Sequence, residues 1–249
     1  MNSLFSVFGV LVLGLICGTA INYFADVLPV TRRLSPATCA NCERKIPWRR
    51  YLLLKDCEHC GKSRSWRSWF VVLFIPFLYL LLWLYPNERM HFWTQAIILF
   101  YFSIVAITDL EYRVILHPVS IAGAVIGAGV GYLMHGLLPT LIGGIAGFII
   151  MLLLYLLGQG FARLLNRIRH EEIEEVPLGF GDVNLSGVLG LILGWPGITA
   201  GLLLAILLGG GFSALFILFS RLSKQYKPFV AIPYAPFLLL GAIILLFRP

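Results

Sequence analysis

Residues 174–187, EEVPLGFGDVNLSG, pass from a charged stretch into an apolar one and place Asp182 at the point of change. Gly179 and Gly181 stand three residues and one residue before this carboxylate. The apolar run continues through Trp195 without another charged residue. A charged carboxylate costs little free energy in water and much more in lipid. The role of Asp182 therefore depends on which of the two surrounds the run.

The composition of the chain indicates that this solvent is lipid. Of the 249 residues, 59% are hydrophobic and only 12% are charged, and the mean hydropathy is +0.88. A spanning helix needs roughly 20 apolar residues, so we predict an all-α polytopic membrane protein with eight transmembrane helices, the sixth of them short. The eight apolar runs are Leu4–Ala25, Trp69–Pro86, Phe92–Thr108, Val114–Met134, Leu137–Ala162, Val183–Trp195, Gly197–Ser220 and Phe229–Phe247.

The basic residues predict the orientation of these helices. With eight crossings and both termini outside, 17 of the 19 Lys and Arg residues fall on the cytoplasmic side, and only Arg89 and Arg248 fall outside. This asymmetry follows the positive-inside rule for multi-pass membrane proteins. The net charge of +7 is therefore mainly a topology signal. We expect lipid around the helices and no nucleic-acid partner.

Four of the five cysteines lie in one polar segment and predict a metal site. Cys39 and Cys42 form one CxxC pair, and Cys57 and Cys60 form a second pair after fourteen intervening residues. Two such pairs are typical of a structural zinc site in which four thiolates fill the coordination sphere. We therefore divide the chain into a first helix (1–26), a cytoplasmic zinc-binding insertion (27–68) and a seven-helix membrane core (69–249).

Two of the twelve acidic residues stand apart from those in loops. Asp109 ends the run WTQAIILFYFSIVAITD, and Asp182 opens the run DVNLSGVLGLILGW, both at the predicted cytoplasmic helix ends. The simplest interpretations are a carboxylate paired with Arg113 for Asp109 and a helix N-cap for Asp182. Taken together, two close carboxylates cannot both ionise cheaply, so they share a proton and support aspartic peptidase chemistry.

The glycines beside Asp182 fit this interpretation. We expect Gly179 and Gly181 to adopt backbone conformations closed to other residues and to let an extended peptide approach Asp182. Two other interpretations stay open at this point. Paired helix-end carboxylates also relay protons in transporters, and a catalytically silent assembly factor would need no chemistry at all.

Several blocks of sequence resemble the type IV prepilin peptidases, which are membrane-embedded GxGD aspartic proteases. The paired CxxC motifs sit where this family places its cytoplasmic insertion, and the ordered set covers nearly the whole chain. The remaining blocks are GTAINYFADVLP (18–29), TDLEYRVIL (108–116), LGFGDVNLSGVLGLILGW (178–195) and IPYAPFLLLGA (232–242).

The resemblance implies an activity and its residues. Asp109 and Asp182 match the two catalytic aspartates of the family, which removes the basic leader peptide from type IV prepilin-like precursors at the cytoplasmic face of the bacterial inner membrane. Many members also methylate the new N-terminus with S-adenosylmethionine. A GxGD protease for other membrane-anchored peptides is the nearest alternative.

The chain also departs from the family pattern. Ala40 replaces the usual proline after the first cysteine, and Asn184 replaces the usual lysine two residues after the GxGD aspartate. The stretch RSWFVV keeps Arg67 but has Val72 where the family has an acidic residue. The departures concentrate in the insertion and its exit, so we predict cleavage with weak or absent methyl transfer.

Overall fold

The computed structural model describes residues 2–39, 41–169, 179–222 and 233–247. This part of the chain is helical, apart from loops and an isolated bridge between Thr38 and Lys45. Lys224 and Lys227, which contribute to the predicted orientation, lie outside the described residues. The helices are α1 (Asn2–Thr31), α2 (Trp48–Leu52), α3 (Trp66–Leu84), α4 (Phe92–Tyr112), α5 (His117–His135), α6 (Leu137–Arg169), α7 (Phe180–Leu193), α8 (Gly197–Leu222) and α9 (Ala235–Phe247).

A helix occupies each of the eight predicted membrane positions. Six of them, α1, α3, α4, α5, α6 and α8, are long and apolar enough to cross a membrane. The other two, α7 with 14 residues and α9 with 13, reach only about 21 Å and 20 Å at 1.5 Å per residue. The all-helical class is thus confirmed, and eight crossings stay a prediction.

The chain divides into two compact units, the first of which is Met1–Thr108. Within it, α1 packs against α3 so closely that a Cβ at Gly14 would lie 2.5 Å from the Cα of Pro76. The Asn22 amide, fully buried, donates a hydrogen bond to the Ser68 carbonyl. Helix α1 continues through Thr31, five residues past the predicted boundary at residue 26. The first five residues of the predicted insertion are therefore helical.

The second unit, Asp109–Pro249, is organised around the short helix α7. Nine of the 14 residues of α7 are buried, because α5 and α6 pack against it through glycines. A Cβ at Gly143 would lie 2.4 Å from the Gly190 carbonyl oxygen, and one at Gly131 would lie 2.0 Å from that of Leu191. On another side, a Cβ at Gly201 of α8 would lie 2.8 Å from Leu193.

The limits of α7 follow from its flanking residues. Its end is set by Gly194, whose φ of 65° is left-handed and whose N–H donates to the Gly190 carbonyl, a typical helix C-cap. Its start is Phe180 and not the predicted Val183, because Gly179 takes the N-cap position with extended backbone. Asp182 therefore lies inside the first turn of the helix.

Candidate active site and metal centre

Asp109 lies in the last turn of α4, immediately after the predicted end of that helix. Its side chain is only 6% exposed. The backbone N–H of Ala235, the first residue of α9, hydrogen-bonds to the Asp109 carboxylate. The other oxygen, Oδ2, is buried and has no hydrogen-bond partner among the described residues. Asp109 therefore has one oxygen held by a helix N-terminus and one oxygen free for chemistry.

The predicted pairing of Asp109 with Arg113 takes a different form. The Arg113 N–H donates to the Asp109 carbonyl at 2.9 Å, which closes the last turn of α4. The Arg113 side chain acts on the Asp109 carboxylate through its charge, but the described residues contain no ion pair between the two. A plain surface salt bridge does not account for this carboxylate.

Asp182 is the third residue of α7 and is 7% exposed. It forms a reciprocal pair with Gly179, because its N–H donates to the Gly179 carbonyl and its Oδ2 accepts the Gly179 N–H, both at 3.1 Å. The interpretation of Asp182 as an N-cap is therefore wrong. The carboxylate reaches back to the N-cap residue and satisfies one of the free donors of the helix start.

The fold brings the two carboxylates within electrostatic reach of each other. Asp109 comes from the end of α4 and Asp182 from the first turn of α7, and the charge of Asp109 acts on Asp182. Each has one oxygen held by a backbone N–H from a helix start. Two close carboxylates in a shielded position can share one proton, which provides a base and an acid without any other group.

The two glycines before Asp182 differ from their predicted role. Gly179 has φ −81° and ψ 148°, and Gly181 is helical, so neither needs a conformation closed to other residues. Gly181 is required for space, because a Cβ there would lie 2.9 Å from the Cβ of Ile115. Gly179 is exposed, and a Cβ there would make only ordinary contacts. The space over Gly179 is therefore open from outside.

Two residues beside the carboxylates were not singled out by the sequence. Ala235 supplies the N–H that holds Asp109, and the charge of Asp182 acts on the neighbouring Tyr234. Both lie in the block IPYAPFLLLGA (232–242), which resembles the prepilin peptidase family. The resemblance alone does not indicate that these two residues lie beside the carboxylates. Every residue except proline has a backbone N–H, so residue type does not show which one binds Asp109. Only the three-dimensional position of α9 identifies Ala235 as the donor.

The four cysteines of the insertion converge as predicted. The Sγ atoms of Cys39 and Cys60 lie 3.5 Å apart, those of Cys42 and Cys57 lie 3.6 Å apart, and all four lie within 4.8 Å of one another. A tetrahedral zinc ion with bonds of about 2.3 Å separates its sulfurs by about 3.8 Å. The donor set and its spacing therefore fit a closed site for a metal ion such as zinc.

The two cysteine turns have the same backbone geometry. Glu43 donates to the Cys39 carbonyl as Gly61 does to that of Cys57, both at 2.9 Å, and both donors have positive φ. In the second turn, backbone N–H groups of His59 and Cys60 bond to the Cys57 sulfur and lower its pKa to about 6. These hydrogen bonds stabilise the thiolate, which is the form that binds a metal ion.

A polar cluster fixes the insertion to the end of α1. The Tyr51 hydroxyl donates to Asp26 at 2.5 Å, and Arg67 and Arg64 form ion pairs with the two oxygens of the same carboxylate. The Arg64 guanidinium also lies 4.0 Å above the Tyr51 ring. Burial, followed by the charge of Asp26, raises the pKa of Tyr51, so its hydroxyl stays protonated and donates. No sequence pattern indicates this role for Asp26.

A comparison with known families identifies the membrane core. Residues 96–214 match the model of the type IV leader peptidase family. This segment is similar to that family. They include both Asp109 and Asp182, whereas the four cysteines and Tyr234 lie outside the matched range. The resemblance found in the sequence is thus confirmed for this segment, and the match supports a type IV leader peptidase activity. No curated protein and no solved structure matches the chain significantly.

Proposed function

We propose that this protein is an aspartic endopeptidase in which Asp109 and Asp182 remove the basic leader peptide from type IV prepilin-like precursors. The main support for the proposal is that two buried carboxylates lie within electrostatic reach of each other in the segment that matches the leader peptidase family. The cytoplasmic face of the bacterial inner membrane is the proposed location, with both termini outside, because the basic residues then lie on the cytoplasmic side.

The proposed reaction uses the shared proton of the pair. The ionised carboxylate removes a proton from a water molecule, whose oxygen attacks the carbonyl carbon of the scissile peptide. The protonated carboxylate donates its proton to the carbonyl oxygen. Collapse of the tetrahedral diol returns one hydroxyl proton to the carboxylate that acted as the acid, restores the carbonyl and breaks the C–N bond. The carboxyl group that acted as the base gives its proton to the leaving amine, so the pair ends in its starting state.

The open space over Gly179 supports a peptide as the substrate. Gly179 is exposed, its backbone angles suit any residue, and no neighbour in the described part of the chain requires its lack of a side chain. A glycine in such a place lets another backbone approach closely. An extended peptide that crosses Gly179 would pass directly beside Asp182, whose carboxylate lies on the Gly179 N–H.

We propose that the cysteine site holds one structural zinc ion through Cys39, Cys42, Cys57 and Cys60. When bound, the ion would hold the two cysteine turns together in an insertion too small for a sizeable apolar core. The four thiolates leave no coordination position for water or substrate. The site therefore contributes to the folding of the insertion and takes no part in peptide hydrolysis.

Methyl transfer with S-adenosylmethionine is proposed to be weak or absent. A cavity of about 490 Å³ in the second unit is lined mainly by apolar residues, with His117, Ser120 and Asn184 as its polar groups. Its lining contains no carboxylate for the ammonium group of this cofactor and no Lys or Arg for its carboxylate. The cavity does not fit S-adenosylmethionine, and we derive no methyl-transfer step.

Co-expression with a candidate prepilin tests the proposed function. Asp109→Asn and Asp182→Asn each keep the shape of the side chain and remove the ionisable group. We expect both variants to accumulate in the membrane and to leave the leader uncleaved, because neither can complete the acid and base pair. The exposed Asp56 lies in the insertion, and Asp56→Asn serves as the matched control with full cleavage. Cleavage at the wild-type rate by either site variant would contradict the paired mechanism.

A further inference from the structure

The start of α9 places a third polar side chain beside the two carboxylates. Ala235 donates its backbone N–H to Asp109, and Tyr234 is the residue immediately before it. The charge of Asp182 acts on Tyr234, although the described residues contain no hydrogen bond between these two side chains. One dipeptide is thus in contact with Asp109 and within electrostatic reach of Asp182.

The Tyr234 ring is held by packing. A Cβ at Gly209 of α8 would lie 3.2 Å from Cε2 of Tyr234, so the ring occupies the space that this glycine leaves. The centroid of the Phe237 ring lies 6.3 Å from that of Tyr234 and 5.5 Å from that of Phe212 of α8. These contacts fix the position of the ring and, with it, the position of the hydroxyl.

The hydroxyl has no partner within the described part of the chain. Tyr234 is half-buried, and no hydrogen bond from its hydroxyl is found there. The Tyr79 and Tyr23 hydroxyls differ, since they donate to the Ala96 carbonyl at 2.9 Å and to the Ser35 carbonyl at 2.8 Å. The buried Tyr101 hydroxyl also has no partner among the described residues. A phenol that is fixed by its ring but left without an acceptor is available to a ligand.

We propose that the Tyr234 hydroxyl donates a hydrogen bond to the carbonyl oxygen of the scissile peptide and stabilises the partial negative charge that builds up on this oxygen before the carboxyl proton reaches it. The inference rests on the proposed peptidase function and adds a third catalytic residue to Asp109 and Asp182. A preorganised donor directed at a developing oxyanion stabilises the transition state more than the ground state. Tyr234 remains uncharged and gives up no proton, so the acid and base steps stay with the two aspartates.

Steady-state cleavage of a precursor peptide by the purified full-length protein in detergent tests this role. Tyr234→Phe removes the hydroxyl and keeps the ring that packs on Gly209. We expect kcat to fall about 10- to 100-fold, as for loss of one oxyanion donor, with KM within about two-fold of wild type because ground-state binding is preserved. The thermal unfolding midpoint should stay at the wild-type value.

Tyr132→Phe is the matched control, because it makes the same chemical change at a side chain in α5 that is 59% exposed. It should retain wild-type kcat. An active wild type together with full kcat in Tyr234→Phe overturns this inference and leaves the proposed function intact. A rise in KM alone, or a fall in kcat that accompanies a lower unfolding midpoint, also overturns it. A wild-type protein that fails to cleave the precursor overturns the proposed function itself.

Discussion

Replacement of Gly147 by alanine tests whether the packing of α6 on α7 holds Asp182 in place. A Cβ at this position would lie 2.4 Å from the Ser186 carbonyl oxygen and 3.0 Å from Cγ1 of Ile198. Ordinary contact begins at 3.4 Å, so α7 must move by about 1 Å near Ser186, which is only one helical turn after Asp182.

The expected loss follows from this displacement. A shift of about 1 Å in a catalytic group can lower the rate about 100-fold, and overpacking of this kind costs about 1–3 kcal/mol of stability. We therefore expect Gly147→Ala to lower kcat for precursor cleavage by about 100-fold and to lower the thermal unfolding midpoint. The measurements are steady-state cleavage and thermal unfolding of the purified protein.

Gly158→Ala supplies the control within the same helix. A Cβ at Gly158 would meet nothing within 4 Å, and alanine favours a helix over glycine by up to about 1 kcal/mol. This variant should keep full activity and equal or exceed the wild-type midpoint. If Gly147→Ala behaves like Gly158→Ala in both measurements, close contact between α6 and α7 does not position Asp182.

Further predictions concern the first turn of α7, the metal, the polar cluster and the second activity. Gly181→Ala should lower kcat about 10-fold through its clash with the Cβ of Ile115, and Ile115→Gly in the same chain, which removes that Cβ, should restore it; an uncorrected loss contradicts this. Elemental analysis should find one zinc ion per chain, and chelation should make the insertion the first protease-sensitive region; a metal-free but resistant insertion argues against the site. Asp26→Asn should destabilise the first unit by about 3 kcal/mol, since Arg64 loses its carboxylate, and an unchanged unfolding midpoint would show the cluster to be dispensable. Mass spectrometry of the processed substrate should find an unmethylated N-terminus, and stoichiometric methylation dependent on this protein would refute the proposal.

The sequence by itself determined the features that depend on local composition and spacing. Apolar runs of sufficient length specify membrane helices because the backbone must satisfy its hydrogen bonds internally in lipid. The two CxxC pairs predict a metal site because each pair can direct two sulfurs at one ion. Asp109 and Asp182 could be selected because carboxylates at the ends of apolar runs are costly and therefore have a use.

The tertiary structure decided which distant groups meet. The Ala235 N–H reaches Asp109, and Tyr51, Arg64 and Arg67 surround Asp26, although no local pattern connects these residues. Helix α7 begins at Phe180 and not at the predicted position. Residue type alone suggests Asp182 as the N-cap, but Gly179 takes that position and forms reciprocal hydrogen bonds with the main chain and side chain of Asp182.

The two glycines before Asp182 show most clearly what the sequence indicates and what only the tertiary structure reveals. Residue type and position suggested backbone freedom at Gly181, whereas the structure shows a helical residue without room for a Cβ beside Ile115. Gly179, two residues away in the same block, has room for a side chain and is exposed. The sequence records only that the side chain is missing. Whether a neighbouring helix or an incoming peptide uses the space depends on packing between segments far apart in the chain, and only the folded structure specifies that packing.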